Sequence, residues 1–94
     1  MVNIEANYYE LWVLDMPPNY KLVLDILIEN SNRFSEAQIS PTDISKLANL
    51  TLAEVKEAIF WLNHNDLITI ESIEIDKFEI NSAITYGYDN QTEN

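Results

Sequence analysis

The chain has no cysteine among its 94 residues, which excludes a disulfide framework and any thiolate-bound metal. Its one glycine, Gly87, leaves nothing with which to build a glycine-rich phosphate loop. With a single histidine, His64, and no thiol, the usual nucleophile–base pairs cannot be assembled. A structural or solvent-exposed place near a helix end is therefore expected for His64. No apolar run approaches the ~20 residues that cross a bilayer. The opening segment, MVNIEANYYE, has no basic stretch leading into a long apolar one, so no signal peptide is expected. Positive charge is scarce too: five Lys and Arg stand against sixteen Asp and Glu, a formal net charge of −11. Affinity for nucleic acid grows with the number of phosphates that Lys and Arg neutralise, so such a chain is repelled by that polymer at long range. On these absences the expectation is a cytoplasmic, non-enzymatic protein with no cofactor and no membrane partner, from a bacterium, an archaeon or one of their mobile elements.

What is present is a modest apolar inventory, 47% of residues, enough for one core. Tyr8, Leu11 and Trp12 fall at helical spacing within residues 2–15, although Val2-Asn3-Ile4-Glu5-Ala6 alternates and admits a strand start instead. Met16-Pro17-Pro18 ends that segment. Asn19 can cap a following helix over Tyr20–Asn32, whose Val23, Ile26 and Leu27 form one face. Leu22, Leu24 and Ile28 widen that face beyond one stripe, so the helix is expected to be buried from two directions. Tyr8, Leu11, Trp12, Leu24 and Ile28 are accordingly the candidate homodimer contacts. Ala37-Gln38-Ile39 suits a brief strand.

Residues 40–68 carry the densest local signals. Ser40 with Asp43 resembles a capping box, and Pro41 sits at the favoured first helical position. Thr51 with Glu54 repeats the box in its full Thr-x-x-Glu form. Small Ser45 lies where two helices must approach, and Asn49 where the backbone must turn left-handed. Ile44, Leu47, Leu50, Val55, Ile59 and Leu62 have the spacing to close a core. After Asp66, Leu67-Ile68-Thr69-Ile70 alternates as a strand, and Ile73, Ile75, Phe78 and Ile80 continue the apolar set. A phase break between Ile70 and Ile73 implies a bulge or turn near Glu71-Ser72, or else a turn at Asp76-Lys77.

The run from Ile44 to Ile68 resembles the winged helix-turn-helix superfamily. In particular it is similar to the helix-turn-helix domains of phage and plasmid replication proteins and small transcriptional regulators. Those share a small residue, a turn residue, Ser or Thr opening the recognition helix, and an ending like Trp61-Leu62-x-x-x-x-Leu67-Ile68. With the preceding helix and the wing, the likeness covers roughly residues 19–81. Asn49 and Asp66 stand where the family commonly has glycine. The resemblance implies an α+β, mainly α, winged helix-turn-helix with a three-helix core, an extra N-terminal helix and a β-hairpin wing. One domain is expected over residues 1–88, with an N-terminal segment at 1–18, the helix-turn-helix at 40–65 and the wing at 67–81. Ser82 to Tyr88 is expected to extend the last strand or to pack Ile84 and Tyr86 on the body, and 89–94 to form a polar tail.

The family's customary use is where this sequence departs furthest. In a winged helix the outward face of the second helix enters the major groove, and base readout leans on Arg, Lys, Asn or Gln there. Here that helix presents Leu52, Glu54, Lys56, Glu57 and Phe60. The wing adds Glu71, Glu74 and Asp76, with Glu79 beside Lys77. The acids lack the spaced Asp/Asn loop and glycine of a calcium site, so no metal is expected. Residues Leu52, Glu54, Lys56, Glu57, Phe60, Glu71, Glu74 and Asp76 are the candidate partner-binding set. The partner expected is a basic protein, part of the nucleic-acid machinery, or a host factor. A mobile-element inhibitor that presents DNA-like negative charge is one concrete form. The alternative is a dimeric DNA-binding transcription or replication regulator using Lys46, Thr51, Lys56 and Lys77.

Overall fold

Two prolines start the first helix. A computed structural model describes residues 16–81, and in it Pro17 is the N-cap and Pro18 the first residue of α1 (Pro18–Glu29). Proline's fixed φ suits that position, and its missing N–H is one the helix could not have paired anyway. Pro17 O accepts from the amides of Tyr20 and Lys21, both at 3.0 Å. The expected Asn19 cap is therefore replaced: Asn19 lies inside the first turn, and no side chain caps the helix. The far end also comes earlier than Asn32. Asn30 Nδ2 donates to Ile26 O (2.8 Å) and Ser31 Oγ to Ile28 O (2.7 Å), so side chains take over the last carbonyls. Asn32 Oδ1 then accepts from the amides of Phe34 and Glu36, folding the chain into β1 (Glu36–Gln38) one residue ahead of the expected strand.

The next two helices, α2 (Pro41–Ala48) and α3 (Leu52–His64), match the expected boundaries. Ser40 Oγ accepts from the Asp43 amide at 3.0 Å, and Thr51 and Glu54 form the complete capping box. Asn49 has the left-handed backbone expected of it, φ 58°, ψ 43°. Ser45 does more than make room: its hydroxyl donates to Leu50 O while the Leu50 amide donates to Ser45 O. On α2, Ile44 and Ala48 are buried in the core. Leu47, expected in the core, is rotated outward and 64% exposed.

Two further strands, β2 (Ile68–Ser72) and β3 (Lys77–Ile80), form an antiparallel hairpin, and β1 adds to the other edge of β3. Ile70 faces Phe78 and Ser72 faces Lys77, which leaves Glu71 as the extra residue of a bulge. The turn is Ile73–Asp76, with Asp76 at φ 51°. Ile73 and Ile75 thus belong to an exposed turn and not to the strand's apolar set, a correction to the alternation pattern. Asp66 takes a left-handed backbone, φ 62°, as its position requires.

The architecture is α+β, three helices and a three-stranded antiparallel sheet, with about half of the described residues helical. Val23, Leu24 and Leu27 from α1 meet Ile44 from α2, Val55 and Leu62 from α3, and Leu67, Ile68 and Ile80 from the hairpin. Full burial of each such side chain is worth about 1.5–3 kcal/mol. Trp61 is partly buried against this core, its ring 5.1 Å from that of Tyr20. The expected helix within residues 2–15, with Tyr8, Leu11 and Trp12, the extension at 82–88 and the tail at 89–94 lie outside the described residues.

Candidate functional site

The capping box fixes where α3 begins and already engages two of the candidate side chains. Thr51 Oγ1 accepts from the Glu54 amide (3.1 Å), and Glu54 Oε1 accepts from the Thr51 amide (2.9 Å) and hydroxyl (3.1 Å). Both residues are exposed, but the Thr51 hydroxyl and one Glu54 oxygen are occupied by the helix start. From there α3 turns Val55, Ala58, Ile59 and Leu62 inward. Leu52, Lys56, Glu57 and Phe60 remain on the open side. Phe60 is 69% exposed and stacks on His64 one turn later, ring centroids 6.1 Å apart.

The hairpin crosses beside this open side and leaves an apolar groove of about 200 Å³ between itself and α3. Buried Ile59 and Phe78 form its floor. Phe60 flanks it from the helix, and Ile70 and Ile73 from the hairpin, Ile73 being 84% exposed. Lys56 and Asp76 stand at the rim. Three of the expected partner-binding residues, Lys56, Phe60 and Asp76, are thus brought to one place. Ile70 and Ile73 join them, although the sequence reading assigned them only to a strand. The signal was there in the phase break, which frees Ile73 from the strand and places it on the turn.

The remaining acids sit elsewhere. On the sheet's outer face Glu79 pairs across β3 with Glu36 on one side and Thr69 on the other. Its carboxyl is held above the usual range, first by a hydrogen bond with Glu71, then by the Glu71 charge, slight desolvation and Glu36, with Lys77 opposing. Lys77 Nζ lies 3.4 Å from Glu36 Oε2, the one ion pair among the described residues. Glu71 therefore belongs to this outer face and not to the groove, while Glu74 is exposed on the turn. Lys46 is exposed on α2. Leu24, a candidate dimer contact, is 2% exposed within the chain's own core, so its side chain is already used; Ile28 is partly buried against the same core.

A second depression, about 320 Å³, opens at the hairpin's base between Phe34, Ser35, Asp66, Thr69 and Asn81, with mixed polar walls. Among the described residues no group of His, Asp and Glu is arranged to hold a metal ion, and no helix is long and apolar enough to cross a membrane. In comparisons with known proteins, no family model, no curated protein and no solved structure matches the chain.

Proposed function

We propose that this is a non-enzymatic regulatory protein of winged helix-turn-helix type whose α3–hairpin face binds another protein, one of basic character. The order of elements, the two capped helices around a left-handed Asn49 and the following hairpin support the winged-helix assignment, with α3 as recognition helix and β2–β3 as wing. The observation that carries the function is the makeup of the face itself. It holds Glu54 and Glu57 on α3 and Glu74 and Asp76 on the turn against Lys56, while Lys77 is paired with Glu36. Leu52, Phe60, Ile73 and Ile75 are exposed on the same elements. Aromatic and aliphatic anchors in a desolvated patch carry most protein–protein affinity.

Phosphate binding fits this face poorly. Two contacts, from Lys46 and Lys56, give a salt slope of about −1.8, so affinity falls only about tenfold between 50 and 200 mM salt because there is so little electrostatic affinity to lose. The carboxylates of Glu54, Glu57, Glu74 and Asp76 then subtract from it. A basic partner gains from the same carboxylates. Proteins of the nucleic-acid machinery are the partner class with the matching charge, and an inhibitor that competes for a basic DNA-binding groove is one form this takes.

The DNA-binding alternative is favoured by one observation, the regular capped α2–α3 pair with Lys46 and Lys56 both exposed. A single substitution separates the readings. Lys56→Glu should leave capture of a basic partner unchanged or stronger, whereas a DNA regulator would lose its operator shift. Failure of the immobilised chain to retain any basic protein at physiological salt would sink the protein-binding reading.

A further inference from the structure

We propose that the groove between α3 and the hairpin receives one large apolar side chain of a basic protein segment, whose flanking lysines or arginines lie against Glu57, Glu74 and Asp76. This rests on the protein-binding reading and adds the place and the chemistry of the contact. At about 200 Å³ the groove is smaller than the pockets that hold drug-sized ligands, and suits a single anchoring side chain. Its floor is closed by Ile59 and Phe78, and the exposed Phe60 and Ile73 extend it outward as two lips. Exposed apolar side chains scattered singly need no explanation, but lips on both sides of a preformed apolar slot do.

Charge selects the occupant. Glu57 is exposed one residue along α3 from Lys56, Glu74 is exposed on the turn, and Asp76 is on the rim. Lys56 is the rim's single cation, and its methylene stem can lie along the slot while the ammonium stays in water. A second copy of this chain docking through the same patch under two-fold symmetry would set two patches carrying Glu57, Glu74 and Asp76 against each other, like charge facing like. Duplex DNA would set phosphates against them. A basic segment is the partner that all three carboxylates favour, and the apolar slot gives that segment a fixed register.

The test is a random-peptide library selected on the 94-residue chain at about 0.15 M salt, physiological ionic strength. Selected peptides would then be measured by fluorescence anisotropy against the wild type and three variants, Ile73→Asp, Phe60→Ser and Glu57→Lys/Glu74→Lys. All replaced side chains are exposed, so folding should be retained, and circular dichroism melts check this. The expected motif is one Leu, Phe or Trp flanked by Lys or Arg. Ile73→Asp is decisive because it removes a lip and adds negative charge. The proposal expects about tenfold weaker binding or more, with similar losses for Phe60→Ser and the charge-reversal pair. Equal or tighter binding by Ile73→Asp would mean that charge alone holds the peptide, overturning the groove and leaving the basic-partner reading intact. Selected peptides without Lys or Arg would overturn both. A concentration-dependent dimer broken by Ile73→Asp would assign the groove to a second copy. Displacement of the peptide by duplex DNA, lost in Lys56→Glu, would assign it to nucleic acid; either result overturns the proposal.

Discussion

Among the described residues four adopt a left-handed backbone, and none of these is glycine: Ser35, Asn49, Asp66 and Asp76. A chain with one glycine has filled its turns with short polar side chains, which bear that conformation better than others do. Asn49→Ala should therefore cost about 1 kcal/mol, whereas Asn49→Gly should be close to neutral, as read from urea midpoints. Glu79 supports a second residue-scale expectation. Its pKa in the fold lies above its ordinary value of 4.5, chiefly through Glu71, so the folded chain holds that proton more tightly than the unfolded one. The fold is thus favoured as pH falls through the raised pKa toward the ordinary value, and this contribution is lost as pH rises back through it. Glu79→Gln should flatten that part of the profile and raise the melting temperature at neutral pH, most visibly in low salt. Asp25, raised mainly by burial, has the same sign and should leave a residual slope in the variant.

At the scale of elements, α3 depends on its cap. Thr51→Ala removes the acceptor for the Glu54 amide and one of the two donors to the Glu54 carboxylate, leaving the Thr51 amide, and should cost about 1 kcal/mol by thermal or urea unfolding. Such caps were legible in the sequence because they act within four residues, as were Pro41 at the start of α2 and the left-handed turn at Asn49. What escaped depends on partners distant in sequence or on competition between neighbours. Leu47 has helical spacing for the core, but α2 packs on its neighbouring helices through Ile44 and Ala48, and spacing alone does not decide which apolar positions face them. Asn19 is a good cap, yet the prolines before it had already started the helix. The hairpin's phase break was visible, but only pairing with β3 decides that Glu71 forms the bulge and Ile73–Asp76 the turn. Of the groove's lining, Lys56, Phe60 and Asp76 had been singled out from the sequence, whereas the place of Ile70 and Ile73 needed that register.

Across the whole molecule, the contrast between core and surface leucines is open to measurement. Leu62 is fully buried among all three helices' core residues, and Leu62→Ala should cost about 2–5 kcal/mol through lost transfer energy and the cavity left behind. Leu47→Ala, on the exposed side of α2, should stay within about 0.5 kcal/mol. The net charge of −11 acts at the same scale: self-repulsion should be relieved by salt, so the melting temperature should rise over the range in which counterions screen surface charge.

The hairpin is not a loose flap. β1 runs beside β3, and the bond from the Ile39 amide to Asp76 O, 3.0 Å, carries that support up to the turn itself. The groove wall is therefore preorganised, and a partner need not surrender much entropy to shape it. Association should then be a single exponential whose rate rises linearly with partner concentration, without the plateau of a conformational step, and most of the difference between good and poor partners should appear in how slowly they leave.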